Sequence, residues 1–209
     1  MADNAQINAI LAGNYNLDDI PVLENFVTVQ SESKSYNRDA NARLLKLYQF
    51  APERINTDVL IRVLVLAISY LPQPDFKYFV HMIPTQQQQN EAVIKVINYE
   101  NFLEAARFSD FWKDVREDAI FQSIAGSTER VRLFILEMIQ QTFYSIEKNQ
   151  LKVALDVNDA ELAALIAENN WTDKGKFVDF GIKEQTSTKT KLSFGTQFSQ
   201  LSRFLSTLN

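Results

Sequence analysis

Residues 45–72, LKLYQFAPERINTDVLIRVLVLAISYLP, contain a nearly unbroken apolar run from Val59 to Leu71 with only Arg62 and Ser69 inside it. As a helix the run rises only about 20 Å, short of the roughly 20 apolar residues that a bilayer core requires. A buried strand would keep its polar residues on one side with period two, and Arg62 and Ser69 break that rule. At 100° per residue Asp58, Arg62 and Ser69 fall within about 40° of one another, which defines a helix with one narrow polar stripe. A helix of that kind packs between other helices.

The rest of the chain fits this reading. Its 209 residues suffice for one medium domain or two small ones, and 46% hydrophobic with 22% charged residues excludes wholesale disorder. The net charge of −5 gives no diffuse attraction to nucleic acid or anionic lipid, so neither a membrane partner nor direct RNA contact is expected. Cysteine is absent, which removes disulfides, thiolate metal sites and thiol nucleophiles. MADNAQINAILAG at the start lacks a basic segment and a sustained apolar stretch, so the expectation is a chain without a signal peptide. The sequon Asn170-Trp171-Thr172 reads as a chance match.

Five glycines and five prolines leave few tight turns and favour helices on short connections. The punctuation predicts a short helix ending at Gly13, a second starting near Asp18 or Asp19 with Pro21 in its first turn, and a third following the Asn37–Asp39 cap region. The apolar run forms the fourth, and DFKYFVHMI the fifth, ended by Pro84. Residues 86–106 read as one longer helix with Gln86–Gln89 solvated at its start, and Phe108–Ile120 as another, ended by Gly126. Helix pairs in series point to a degenerate HEAT/TPR-like array, since such hairpins bury their apolar faces only by stacking.

Beyond a helix from Ser127 to about Tyr144 the rhythm changes. IEKNQLKVALDV and NDAELAALIAENN read as two compact helices, the second capped by Asn158 or Asp159. KFVDFGI and TKLSF have strand composition and suggest a β-hairpin. Helices, two strands and a final helix fit a winged-helix (α+β) module. The fold expected is therefore mostly α, with a helical-repeat domain over 1–130 and a winged helix over 131–209.

The residues offer little chemistry, and no catalytic, cofactor-binding or metal-ligating residue is assigned. His81 is the single histidine and reads as a partly buried helix residue. No Gly-rich phosphate loop or nucleophile elbow occurs, and DKGKF around Gly175 lacks the required spacing. Glu100 and Glu104 read as solvated surface, and Phe111 and Trp112 as core. The candidate recognition helix carries Asp159, Glu161 and Glu168 without Lys or Arg, the wrong sign for phosphate, although Lys183, Lys189 and Lys191 stand in the wing.

Particular stretches resemble a known family. Tyr15-Asn16 before an acidic helix start, LENFV at 23–27, Tyr36-Asn37 with Asp39-Ala40-Asn41, and above all LKLYQF at 45–50 with Pro52 resemble the subunit k family of eukaryotic translation initiation factor 3. The likeness continues through Leu71-Pro72 with Asp75-Phe76, Met82-Ile83 and FLEAARFSDFW at 102–112, and more faintly to Trp171 and the end. It implies a PCI-type architecture, helical repeats fused to a winged helix, shared with subunits of the proteasome lid and the signalosome. It further implies a non-catalytic, cytoplasmic subunit with some nuclear presence, which contacts subunit l and works on the small ribosomal subunit. A scaffold subunit of the proteasome lid or signalosome is the alternative.

A subunit of that kind acts through surfaces, and two are expected. Phe198, Leu201, Phe204, Leu205 and Leu208 fall within about 120° on a helical wheel, a stripe that either covers its own module or joins helices from neighbours. The second is the wing and strand edge around Phe177, Phe180 and Ile182, where an edge strand offers unpaired backbone groups.

Overall fold

The computed structural model describes residues 4–181. The run that opens the sequence is α4 (Thr57–Ser69), and it is packed on nearly every side, with Val59–Ile61 and Val63–Ser69 all buried. Asn56 starts it by accepting from the amides of Asp58 (3.1 Å) and Val59 (3.4 Å). The polar stripe is satisfied in two ways. Half-buried Arg62 donates to Ser123 Oγ at 3.1 Å, and buried Ser69 returns its hydroxyl to the Val65 carbonyl at 2.9 Å.

The neighbours of α4 are helix pairs. α1 (Asn4–Ala12), α2 (Ile20–Ser33) and α3 (Arg38–Phe50) precede it, and α5 (Asp75–Met82), α6 (Thr85–Gln88), α7 (Glu91–Glu104), α8 (Phe108–Arg116) and α9 (Ala119–Ser123) follow. α2, α4 and α7 lie side by side, while α1, α3 and α5 form a second layer. Between α2 and α3 the buried amides of Gln30 and Asn41 exchange hydrogen bonds at 2.9 and 3.3 Å, and Gln30 Oε1 also accepts from the Asn37 amide at 2.6 Å. A dry interface with two polar side chains is tolerable only in that mutually satisfied arrangement. Buried Asp75 plays a similar part, accepting from Tyr36 Oη (2.8 Å) and Arg38 Nε (2.6 Å). Burial and this carboxylate push the Tyr36 hydroxyl far above its ordinary pKa.

Two expected helices are each divided. Asn90 caps α7 by accepting from the Ala92 amide, so Thr85–Gln88 forms its own turn. Gln88 in that turn is half-buried rather than solvated, and its amide ties the carbonyls of Val80 and Ile83. Asp118 likewise starts α9 by accepting from the Phe121 amide at 2.9 Å, which separates it from α8. Two side chains also differ from expectation: His81 is exposed, and Glu100 is buried. Burial, then the nearby Glu104 charge, raises the Glu100 carboxyl pKa, while Lys77 at 3.9 Å pulls it the other way.

α10 (Ser127–Thr142) leads into β1 (Ser145–Glu147), α11 (Lys148–Leu155), α12 (Asp159–Glu168), β2 (Thr172–Lys174) and β3 (Phe177–Asp179). Helix, strand, helix, helix and two strands is the winged-helix order. Asn158 caps α12 in a reciprocal box with Glu161. The sheet is antiparallel in the order β1-β3-β2, with Val178 facing Ile146 on one side and Asp173 on the other. Among the described residues Phe177–Asp179 is thus the central strand, and the edges are β1 and β2. In the sequence Ile146 and Glu147 read as the start of a helix, but they pair with β3 instead. TKLSF, the second strand of the expected hairpin, and the C-terminal stripe lie outside the described residues. α10 packs against α4 on one side and α11 on the other, and the division expected at 130 and 131 falls inside this helix.

Candidate protein interface

The array and the winged helix meet at the C-terminus of α11, where the last carbonyls of any helix lack intrahelical donors. Two side chains answer them, and a third pairs with a carboxylate beside them. Trp112 Nε1, buried on α8, donates to the Ala154 carbonyl at 2.8 Å. Arg132, on α10, donates Nε to Leu155 O (2.9 Å) and Nη2 to Asp156 O (2.8 Å). Arg116 pairs with the Asp156 carboxylate. Asp156 itself takes the left-handed conformation that ends the helix (φ 52°). Positive charge at this end also suits the helix dipole. Arg116 stands exposed at the rim, but the Trp112 side of the seam is buried and is not available to a partner.

The outward faces are. On the sheet, Phe177 shares a face with Glu147 and Lys174, its partners on either strand, and with Asp179. Phe177 is 44% exposed, whereas Phe180 is 9% exposed and turns its ring edge-on to Trp171 at 4.9 Å. The surrounding charges are largely paired: Lys176 with Glu147 at 3.5 Å, Lys174 with Asp179, and Lys148 with Asp173 at 2.7 Å. Lys174 and the Gly181 amide hold the Asp179 carboxyl below its ordinary pKa. Ile182, Phe198, Leu201, Phe204, Leu205 and Leu208, with Lys183, Lys189 and Lys191, lie outside the described residues.

A second outward surface was missed in the sequence. Leu133 and Leu136 of α10, Leu155 at the end of α11, Val157 just beyond it and Leu165 of α12 line a groove of about 350 Å³ rimmed by Glu129, Arg132, Glu161 and Glu168. Leu133 is exposed there, and Phe143 and Tyr144 are exposed beyond the end of α10. The spacing of Leu133 from Leu136 was a legible helical signal, but only the fold brings α12 alongside. α12 buries a single residue, Leu162, and presents alanines and carboxylates to solvent. That surface is acidic where a DNA-reading helix is basic. Among the described residues no cluster of three or more His, Asp or Glu is placed to hold a metal ion, and no helix is long and apolar enough to cross a membrane.

An array of helix pairs ending in a winged helix, with apolar side chains left on outward faces, is the architecture of PCI-type scaffold subunits. The model of the CSN8/PSMD8/EIF3K family matches residues 54–191, more than half of the chain, and the chain belongs to that family. It is similar to proteins named eukaryotic translation initiation factor 3 subunit K. The Drosophila grimshawi protein is 32% identical over 179 residues, 85% of this chain and 81% of that protein. The Aedes aegypti protein is 33% identical over 179 residues, covering 85% and 80%. The Dictyostelium discoideum protein is 31% identical over 202 residues, covering 96% and 82%.

Proposed function

We propose that this chain is a non-catalytic scaffold subunit of translation initiation factor 3 that helps assemble the preinitiation complex on the small ribosomal subunit in the cytoplasm. The observation that carries this reading is the similarity to named subunits of that factor along 85% of the chain or more. The chain contributes through surfaces: a helical array to about residue 130, then a winged helix whose outward residues meet neighbouring subunits, subunit l first among them. Phe177, and the stripe of Phe198, Leu201, Phe204, Leu205 and Leu208 with Ile182 near the wing, are the residues assigned to that contact. Phe180 acts indirectly, by holding the Trp171 side of the module.

Affinity purification of the tagged chain from its source cells, followed by mass spectrometry at moderate salt, tests the assignment. Initiation-factor subunits with small-subunit ribosomal proteins are expected. Recovery of proteasome-lid or signalosome subunits instead would keep the fold and overturn the function. Replacing Leu201 and Leu205 with Asp is expected to abolish assembly and leave the isolated chain folded. An unfolded variant would mean that the stripe covers its own module.

A further inference from the structure

Far from the winged helix, the second layer of the array carries aromatic residues that its own core does not use. Tyr15 (56% exposed), Phe50 (56%) and Tyr78 (48%) come from three separate segments and converge on the outer face of α3. Tyr15 and Phe50 meet edge to face at 5.6 Å. Each ring also carries a cation: the Arg43 guanidinium 4.1 Å from the Tyr15 centroid, Lys46 Nζ 5.4 Å from Phe50, and the Arg38 guanidinium 5.3 Å from Tyr78. Between α1, α3 and α5 this face sinks into a groove of about 450 Å³ that includes Leu11, Tyr15, Arg43, Lys46, Tyr78 and Met82, with Asp39 as its one acid.

The cations are not spent equally inside the chain. Arg38 is committed to Asp75. Arg43 donates Nη2 to the carbonyls of Leu11 (2.8 Å) and Gly13 (3.1 Å), which closes the end of α1. Its Nη1 is buried and has no acceptor, the single such side-chain atom among the described residues. Lys46 donates to the neutral amide of Gln49 at 2.8 Å. Neither Arg43 nor Lys46 forms an ion pair among the described residues. The groove thus holds two cations without an ion-pair partner against one acid, a balance that a carboxylate from outside would restore.

We propose that this groove docks an acidic segment of a partner protein, whose carboxylates pair with Lys46 and lie beside the half-buried Arg43 guanidinium while an adjacent apolar side chain packs on the exposed edges of Tyr15 and Tyr78. Single-stranded RNA fits less well. Base stacking requires open ring faces, and here every ring has a cation on it and two rings are locked against each other. The docking site is separate in sequence and in the fold from the winged-helix surface and does not depend on which complex the chain joins.

Fluorescence anisotropy with the full chain tests it. The probe is a labelled peptide of about ten residues, alternating Glu with Leu or Phe, long enough to cross the groove at about 3.3 Å per residue. The same peptide with Lys for Glu and an oligouridine of matching length are the comparison probes. The acidic peptide is expected to bind at least about tenfold tighter than the basic one and to weaken with salt. Lys46→Glu is expected to weaken it about tenfold or more and Tyr78→Ser several-fold, both without shifting thermal unfolding. Arg43→Lys keeps the charge, loses the fork and is expected to weaken binding as well. Equal binding of acidic and basic peptides, preference for oligouridine, or indifference to Lys46→Glu would each overturn the proposal. None of these results bears on membership of the initiation factor, which is read from the purified complex.

Discussion

α4 and α12 are helices of similar length, 13 and 10 residues, both rich in aliphatic side chains, yet ten residues of the first are buried and one of the second. The difference is one of neighbours. α4 is enclosed by α2, α5, α7, α9 and α10, so each of its apolar side chains has somewhere to go. α12 leans on one side of a small module and leaves its alanines and carboxylates in water. The array therefore supplies stability, and the winged helix supplies surface. A chain that works by being held needs both.

The largest test of that division is Leu64→Ala. Leu64 is fully buried, and its truncation is expected to lose about 3–5 kcal/mol, a large part of the stability of an ordinary domain. Leu165→Ala on half-buried α12 is expected to cost only about 1 kcal/mol. Urea denaturation of both variants decides the matter, and equal losses would break the comparison.

Next comes the polar pair inside the array. Gln30→Leu strands the Asn41 amide and the Asn37 N–H in a dry interface, an expected loss of about 2–3 kcal/mol. Adding Asn41→Leu should cost less than the sum of the two single changes, a coupling that a double-mutant cycle measures. At the seam, Trp112→Phe removes the bond to Ala154 O and is expected to cost about 1 kcal/mol. Amide exchange should quicken in α11 and stay unchanged in α4. An equal effect in both helices would mean that the two regions open as one.

pH separates two carboxylates of the array. Burial opposes ionisation of Asp118, but the Phe121 amide, the Tyr99 hydroxyl and Lys95 outweigh it and hold its pKa below the ordinary value. Its contribution is complete above the ordinary carboxylate pKa and is lost as pH falls through the folded value. Glu100, raised by burial, has the opposite sign: its contribution is present below its unfolded pKa and is lost as pH rises through the folded one. Asp118→Asn should therefore flatten the acid limb of a melting-temperature profile, and Glu100→Gln should raise the melting temperature at neutral pH by an amount that shrinks on acidification. The smallest effect belongs to Ala163→Asp on the open side of α12, expected within about 0.5 kcal/mol by the same melting measurement.

The helices are legible wherever periodicity and a cap agree, as at Asn37 and Asn158, whereas the Asn56 cap of α4 emerges only from the structure. Their divisions at Asn90 and Asp118 were overlooked because apolar positions recur at helical spacing straight across both breaks. β1 is three residues long, too short for alternation to register, and its pairing with β3 joins distant residues, Ser145 with Asp179 and Glu147 with Phe177 at its ends. That pairing is what turns β3 from an edge into a centre. Glu100 next to Glu104 reads as surface on spacing alone, and only the packing of α7 reveals that it is buried. The Arg43 groove left no local trace, since Tyr15, Arg43 and Tyr78 are brought together by the layering of α1, α3 and α5.

The seam at the end of α11 has a mechanical consequence. Trp112 and Arg116 reach it from α8 of the array, while Arg132 braces the same helix end from α10 within the module, and α10 itself lies against α4. A load placed on the winged helix therefore passes into the array along two routes, one through α8 and one from α10 to the central α4.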